Sequence, residues 1–219
     1  MNAELLLSDS IIPLRTSDTG EEALAMMSDF YVRHLPIVNN TQLLGLIAED
    51  DILDNDPEEA VGAYSLSLVN TYVHAKDHIY ETLRLLAEYQ LTVVPVVDDE
   101  GNYIGLITLE DIVHFFAKTA SFSESGSILV LEVNKRDYAL SEIARIVESE
   151  NATIISSFIT STPEYAILDV TIKINRQNIS NIIASFLRYD YTIKASFNEQ
   201  EYIDSLKDRY DSLMAYLNV

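Results

Sequence analysis

Residues 105–113 read GLITLEDIV, and residues 45–53 read GLIAEDDIL. Two near-identical nonapeptides in one chain point to an internal repeat, and the flanking sequence extends it in both directions. Residues 15–38, RTSDTGEEALAMMSDFYVRHLPIV, lie over residues 74–97, HAKDHIYETLRLLAEYQLTVVPVV, at a constant offset of 59. Asp18 then falls on Asp77, Leu24 on Leu83, Pro36 on Pro95 and Val38 on Val97. One additional residue in DDEGNY moves the offset to 60, which brings Gly45 onto Gly105, Ile47 onto Ile107 and Asp51 onto Asp111. Two of five prolines and two of six glycines stay in register across that insertion, so the duplication is not a chance match.

Each copy carries the same succession of periodicities. A short lead-in, SIIPLR or TYVHA, reads as extended. EEALAMMSDF and ETLRLLAEYQ space their apolar residues as helices do. LPIVNN and VVPVVDD read as strands, and a polar loop leads to a second strand, LLGLIA or YIGLIT, which predicts a hairpin. A second helix starts at the acidic cluster that follows. The predicted unit is β-α-β-β-α, and one such unit buries too little apolar area by itself, so the two copies are expected to pack face to face. Residues 54–70 read as a linker, and the Ser-rich TASFSESG at 119–126 reads as a domain boundary. Beyond it, strands at 127–134, 153–160, 164–174 and 191–197 alternate with helices at 138–150 and 179–188 in the order βαββαβ, a ferredoxin-like arrangement. In the last stretch Ile203, Leu206, Tyr210, Leu213 and Leu217 form an a/d seam over two heptads, which predicts a C-terminal helix packed on its domain or paired with a second subunit. The expected fold class is α+β, divided into repeat copies at 1–59 and 60–120, a third domain at 127–197 and a C-terminal helix at 198–219.

Charge bounds the partners. The formal net charge is −21, and residues 1–119 carry 21 acids against 5 Lys and Arg. Such a field repels nucleic acid and anionic membrane, and it obliges an anionic ligand to find a local positive site. There is no Cys, so neither a disulfide framework nor a thiolate metal site is expected. The N-terminus lacks the features of a signal peptide and no apolar run is long enough to cross a bilayer, so the sequence reads as cytoplasmic.

Thr108 and Asp111 admit two uses. The hydroxyl can cap the helix that begins at Leu109, with Asp111 completing a capping box. The same helix end offers free N–H groups to a phosphate, with Thr108 donating to it and Asp111 accepting from the vicinal hydroxyls of a ribose. The first copy has Asp51 but carries Ala48 in place of the hydroxyl. Glu49, Asp50, Asp51, Asp54 and Asp56 lack the glycine and terminal glutamate of a calcium loop, so no metal site is expected there. Asp111 and His114, three apart on one face, have no evident nucleophile beside them.

The segments RHLPIV…LLGLIAEDDIL and TVVPVV…YIGLITLED resemble the CBS-domain family, whose members occur as tandem pairs called Bateman modules; the likeness covers roughly residues 10–118. The resemblance implies that Gly105, Thr108 and Asp111 match a motif contacting the phosphate and ribose of AMP, ADP, ATP or S-adenosylmethionine, with Mg²⁺ only as a companion of the nucleotide. It implies an apolar slot for the base at Val73, His74 and Ala75 with Val93, Val94 and Pro95, and a possible ribose contact at Asp51. The positive groups able to offset phosphates are Arg33, Lys76, Arg15 and the histidines His34, His74, His78 and His114. Residues 127–197 resemble ACT-type domains, although Tyr138 stands at the position of that family's ligand-loop glycine and Lys135 at its Asp, which argues for dimerisation or signal transmission over amino-acid binding. The layout as a whole is similar to acetoin-utilisation-type regulatory proteins. The expectation is a non-enzymatic homodimeric regulator that senses an adenine nucleotide and acts on an unidentified protein partner. The alternatives are a structural adaptor with a decayed site and, last, a nucleotide hydrolase using Asp111 and His114.

Overall fold

The computed structural model describes residues 1–8, 10–160, 166–198 and 216. The turn STPE and nearly all of the expected C-terminal helix, with its a/d seam, lie outside the described residues. The chain divides into two compact units, Met1–Phe115 and Phe116–Val219.

The first unit holds both repeat copies. In the first, β1 (Leu14–Arg15) leads to α1 (Gly20–Asp29), then to β2 (His34–Asn39), β3 (Gln42–Ala48) and α2 (Glu49–Leu53). In the second, β4 (Val73–His74), α3 (Ile79–Glu88), β5 (Val93–Val97), β6 (Tyr103–Thr108) and α4 (Leu109–Ala117) follow in the same order. Each copy is the β-α-β-β-α unit expected. Its sheet is three-stranded, with the short first strand parallel to the second and the hairpin antiparallel. Strands β2 and β5 are buried almost throughout, so they form the shared core, whose fully buried side chains include Leu35, Ile37, Val93, Val94 and Val96.

Local chemistry explains the helix ends. Thr19 caps α1 through a capping box with Glu22, its hydroxyl accepting from the Glu22 N–H at 3.2 Å while Glu22 accepts from the Thr19 N–H at 2.9 Å. The helix stops at a residue in the left-handed region, Tyr31, and α3 stops at its counterpart Gln90. In both, the next N–H reaches back to close the last turn, from Val32 to the Met27 carbonyl and from Leu91 to the Leu86 carbonyl.

The lead-ins SIIPLR and TYVHA contain the short strands β1 and β4. Residues 54–70, which connect the copies, also bond to the first of them. Val61–Ala63 form a 3-10 turn whose Val61 is buried, and the Val61 and Gly62 N–H groups donate to the carbonyls of Asp18 and Thr16 in the first copy. The N-terminal turn Ala3–Leu6 makes the matching contacts with the second copy, Ala3 and Glu4 donating to the carbonyls of Asp77 and Ala75. Each copy is thus completed by the segment that precedes the other.

The second unit contains α5 (Ala120–Ser123), β7 (Ser127–Asn134), α6 (Leu140–Ser149), β8 (Ile154–Thr160), β9 (Ile167–Ile174), α7 (Ser180–Arg188) and β10 (Thr192–Asn198). The sheet order is β10-β7-β9-β8, all antiparallel, which is the ferredoxin-like arrangement. Alternate residues of β7 and β9, among them Leu129, Leu131, Val170 and Ile172, pack with Ile143, Ile146, Val147, Ile182 and Phe186 of the helices. The Ser-rich segment read as a domain boundary contains the short helix α5. Among the described residues no helix is long and apolar enough to cross a membrane.

Candidate functional site

Thr108 ends β6 opposite Val93, and α4 begins at the next residue. Its side chain and that of Asp111 are locked together. The Asp111 N–H donates to the Thr108 hydroxyl oxygen at 3.0 Å, that hydroxyl donates to Asp111 Oδ2 at 2.6 Å, and the Thr108 N–H donates to the same oxygen at 3.0 Å. The capping box is therefore formed, and both side chains remain partly exposed. Gly105 sits at a register shift in the β5–β6 ladder with φ at +154°. A Cβ there would come within 3.0 Å of Leu7, so the close neighbour that the glycine admits is the N-terminal segment.

The first copy reaches the same electrostatic arrangement by another route. The Ala48 N–H donates to Asp51 Oδ2 at 2.9 Å, and the hydroxyl arriving at that oxygen comes from Ser67 at 3.3 Å. Ser67 lies in the lead-in of the second copy, which pairs with β3 through the Leu46 N–H and the Leu68 carbonyl. Sequence reasoning missed Ser67, because nothing in its local pattern places it opposite Asp51; only the exchange of lead-in segments does.

Two clefts flank these pairs at positions equivalent in the repeat. One, of about 360 Å³, is lined by Phe30, Tyr31 and Val32 at the end of α1 and by Thr92, Thr108, Leu109, Glu110 and Val113. The other, of about 170 Å³, is lined by Tyr89 and Gln90 at the end of α3 and by Arg33, His34, Ala48, Glu49 and Asp50. The first is the more apolar and carries hydroxyls at Thr92 and Thr108; the second carries charges of both signs. Between them the copies are stitched at Thr92, whose hydroxyl accepts from the Arg33 N–H at 2.9 Å and lies 3.1 Å from His34 Nδ1. The Thr92 N–H donates to the same Nδ1 at 3.3 Å, so that nitrogen is the acceptor. Burial and then the Arg33 charge push the His34 pKa below its usual value, against a smaller opposing pull from Asp51 and Asp50.

The CBS domain family matches residues 3–58 and 68–118. The first unit is a pair of CBS domains. Over 112 residues this chain is 31% identical to the inosine-5'-monophosphate dehydrogenase of Methanocaldococcus jannaschii, taking in 50% of this chain and 22% of that protein. Over 113 residues it is 35% identical to the magnesium transporter MgtE of Thermus thermophilus, 49% of this chain and 25% of that one. The chain thus spans about a quarter of the length of these curated relatives. Among solved structures, a CBS domain pair/ACT domain protein from Thermotoga maritima is 25% identical, with 54% of this chain and 98% of that chain covered at a TM-score of 0.49.

Within the CBS pair, the residues expected to form the apolar slot lie on the paired strands β4 and β5 and just after β4. Val94 and Pro95 are buried in β5 close to Thr108, since Val93 is its ladder partner. Val73 and His74 pair with Val96 and Val97 at the other end of that strand, with Ala75 following. Pro95 and Val96 are consecutive, so Val73 stands beside β5 one residue beyond Pro95. Val73 is buried, while His74 is exposed with its ring edge-on to Tyr72. Arg33 lies in the smaller cleft, on the Asp51 side. His114 pairs with Glu110, at 3.8 Å, rather than with Asp111. No group of three or more metal-ligating side chains occurs among the described residues. In the ferredoxin-like unit, Tyr138 packs on the apolar core. A cleft of about 250 Å³ beside it is lined by Glu132, Asp137, Glu142 and Asp190 together with Tyr191, whose hydroxyl pKa is raised by burial and then by Glu142.

Proposed function

We propose that the CBS pair senses an adenine nucleotide or an adenosyl ligand at the Thr108–Asp111 side and passes the bound state to a partner protein or to its own assembly as a homodimer. The observation that carries this reading is that Thr108 serves the capping box and the wall of an apolar cleft at once. Its hydroxyl can rotate from Asp111 to a phosphate oxygen at the N-terminus of the nine-residue α4, where the helix end favours negative charge. Asp111 holds both Thr108 donors on Oδ2, which leaves Oδ1 for the vicinal hydroxyls of a ribose. Aromatic Phe30 and Tyr31 with Leu109 and Val113 supply the apolar surface a base requires. Mg²⁺ enters only with a polyphosphate. A ligand of this kind regulates by binding one conformation of the pair more tightly than another.

A structural adaptor is the second reading, favoured by the fact that Thr108 and Asp111 already seal the helix end. Thermal unfolding with AMP, ADP, ATP and S-adenosylmethionine separates the two. A working site at 100-fold ligand excess over Kd adds about 2.7 kcal/mol of stability, and Thr108→Ala is expected to lose most of that increment. No shift with any of the four ligands supports the adaptor. An equal shift in wild type and Thr108→Ala removes the site from Thr108.

A further inference from the structure

The largest of the described clefts is not at either Asp51 or Asp111. It measures about 520 Å³ and lies in the first CBS copy, between β1 and the tip of the β2–β3 hairpin. Its polar lining is Arg15, Thr16, Ser17, Asn39 and Asn40, with no acid among the described lining residues. That is unusual in this chain. Residues 1–115 carry only four Lys and Arg, namely Arg15, Arg33, Lys76 and Arg84. Lys76 is paired with Asp99, and Arg84 with Glu81 and Glu88. Arg33 shares its cleft with Glu49 and Asp50. Among the described residues, Arg15 is the one of these four cations that lines a cleft without carboxylates, and no ion pair to its guanidinium occurs among them. Asp18 is close in sequence, but its carboxylate accepts from the Arg15 backbone N–H at 2.8 Å.

The repeat supplies an internal control. At the offset of 59, Ser17, Asn39 and Asn40 correspond to Lys76, Asp98 and Asp99. In the second copy this place is neutralised from within. Lys76 holds Asp99, while Asp98 accepts from the backbone N–H groups of Glu100 and Asn102 and from the Asn102 side chain. The first copy replaces both acids by amides and the lysine by a hydroxyl, and carries Arg15 where the second copy has His74. Asn40 adopts the left-handed conformation at the hairpin tip, and its amide donates to Asn39 Oδ1 at 3.4 Å. A guanidinium fork, two hydroxyls and a side-chain amide then line one concave surface in a protein whose overall field repels anions.

We propose that this cleft is a second ligand site, which takes a small oxyanion group, phosphate or carboxylate, against Arg15. It is independent of the nucleotide reading. It lies at the Asn39 end of β2, five residues from the His34 end where Ala48 and Asp51 stand, or roughly 17 Å along the strand. Removing the acids is the step that makes the site, because a carboxylate in either hairpin position would both repel the ligand and capture Arg15.

The test is a titration of the ¹⁵N-labelled full-length chain with inorganic phosphate, and separately with citrate, at low ionic strength. The expected result is saturable shifts of the amides of Arg15, Thr16, Ser17, Asn39 and Asn40. Arg15→Gln should weaken binding by about tenfold or more, as loss of a charge-assisted bond does. Asn40→Asp, which restores the residue of the second copy, should weaken it comparably while leaving the amide spectrum of the fold intact. Asp111→Ala should leave it unchanged. Preference for phosphate identifies a phosphate ester as the natural ligand class, and preference for citrate a carboxylic acid. Absence of saturation with both anions, or equal affinity in Arg15→Gln, overturns the proposal.

Discussion

Asp51 and Asp111 each receive one backbone N–H and one hydroxyl on a single oxygen, yet the hydroxyl is local in one copy and distant in the other. The motif carried by Gly105, Thr108 and Asp111 was therefore only half a description. It was legible at Thr108 because N-cap and N3 positions lie three residues apart and need no tertiary information. It was illegible at Ser67 because that contact spans sixteen positions. His34 extends the point, since its burial could not be read from RHLP. Held neutral between the copies, it has a folded pKa below the unfolded value of 6.5. The unfolded chain then takes up the proton first as pH falls. Its contribution to stability is complete above pH 6.5 and is lost as the pH drops toward the depressed folded value. Urea unfolding at pH 7.5 and 5.5 should show a larger loss in wild type than in His34→Gln; an equal loss would place the pH dependence elsewhere.

The elements followed the sequence closely because their signals are short in range: apolar period for α1, α3, α6 and α7, β-branched runs for β5 and β9. Their ends were less predictable. Four helices are followed by left-handed residues, Tyr31, Gln90, Asn151 and Asp190, of which none is glycine. The usual stop signal was absent from the sequence, and the return hydrogen bond to the last turn holds the conformation instead. The glycines that matter are in the strands. Gly45 and Gly105 share φ of +154°, where other residues are strained. Their surroundings differ. A Cβ at Gly45 would stand 3.1 Å from the Val69 Cα and 3.2 Å from the Leu68 carbonyl oxygen, whereas at Gly105 it meets the Leu7 side chain, which can turn away. Gly45→Ala is expected to cost more than Gly105→Ala, with the former at about 2–3 kcal/mol. Chemical unfolding of both variants checks this; the reverse order would mean that the lead-in at Val69 yields more readily than the one at Leu7.

At the scale of the whole molecule, the balance of −21 acts on stability as well as on partners. Many of the exposed acids have no basic neighbour to offset them, and the ion pairs that do form, such as Lys76–Asp99 and Lys194–Asp169, are exposed and contribute little. Self-repulsion should therefore dominate, and raising the ionic strength from about 0.02 to 0.5 M, which contracts the Debye length to a few ångströms, should raise the unfolding temperature. A fall would indicate that exposed ion pairs outweigh the repulsion.

By itself the sequence determined that the chain is a duplicated β-α-β-β-α unit followed by βαββαβ, and where the Thr108–Asp111 pair sits, because periodicity, scarce Gly and Pro in register and helix-cap spacing all act over a few residues. Only the tertiary structure decided which lead-in completes which copy, that Ser67 serves Asp51, and that Arg15 lines a cleft without acids among the described residues. Those outcomes depend on contacts between segments far apart in the chain, and a local pattern carries no information about which of them packing will bring together.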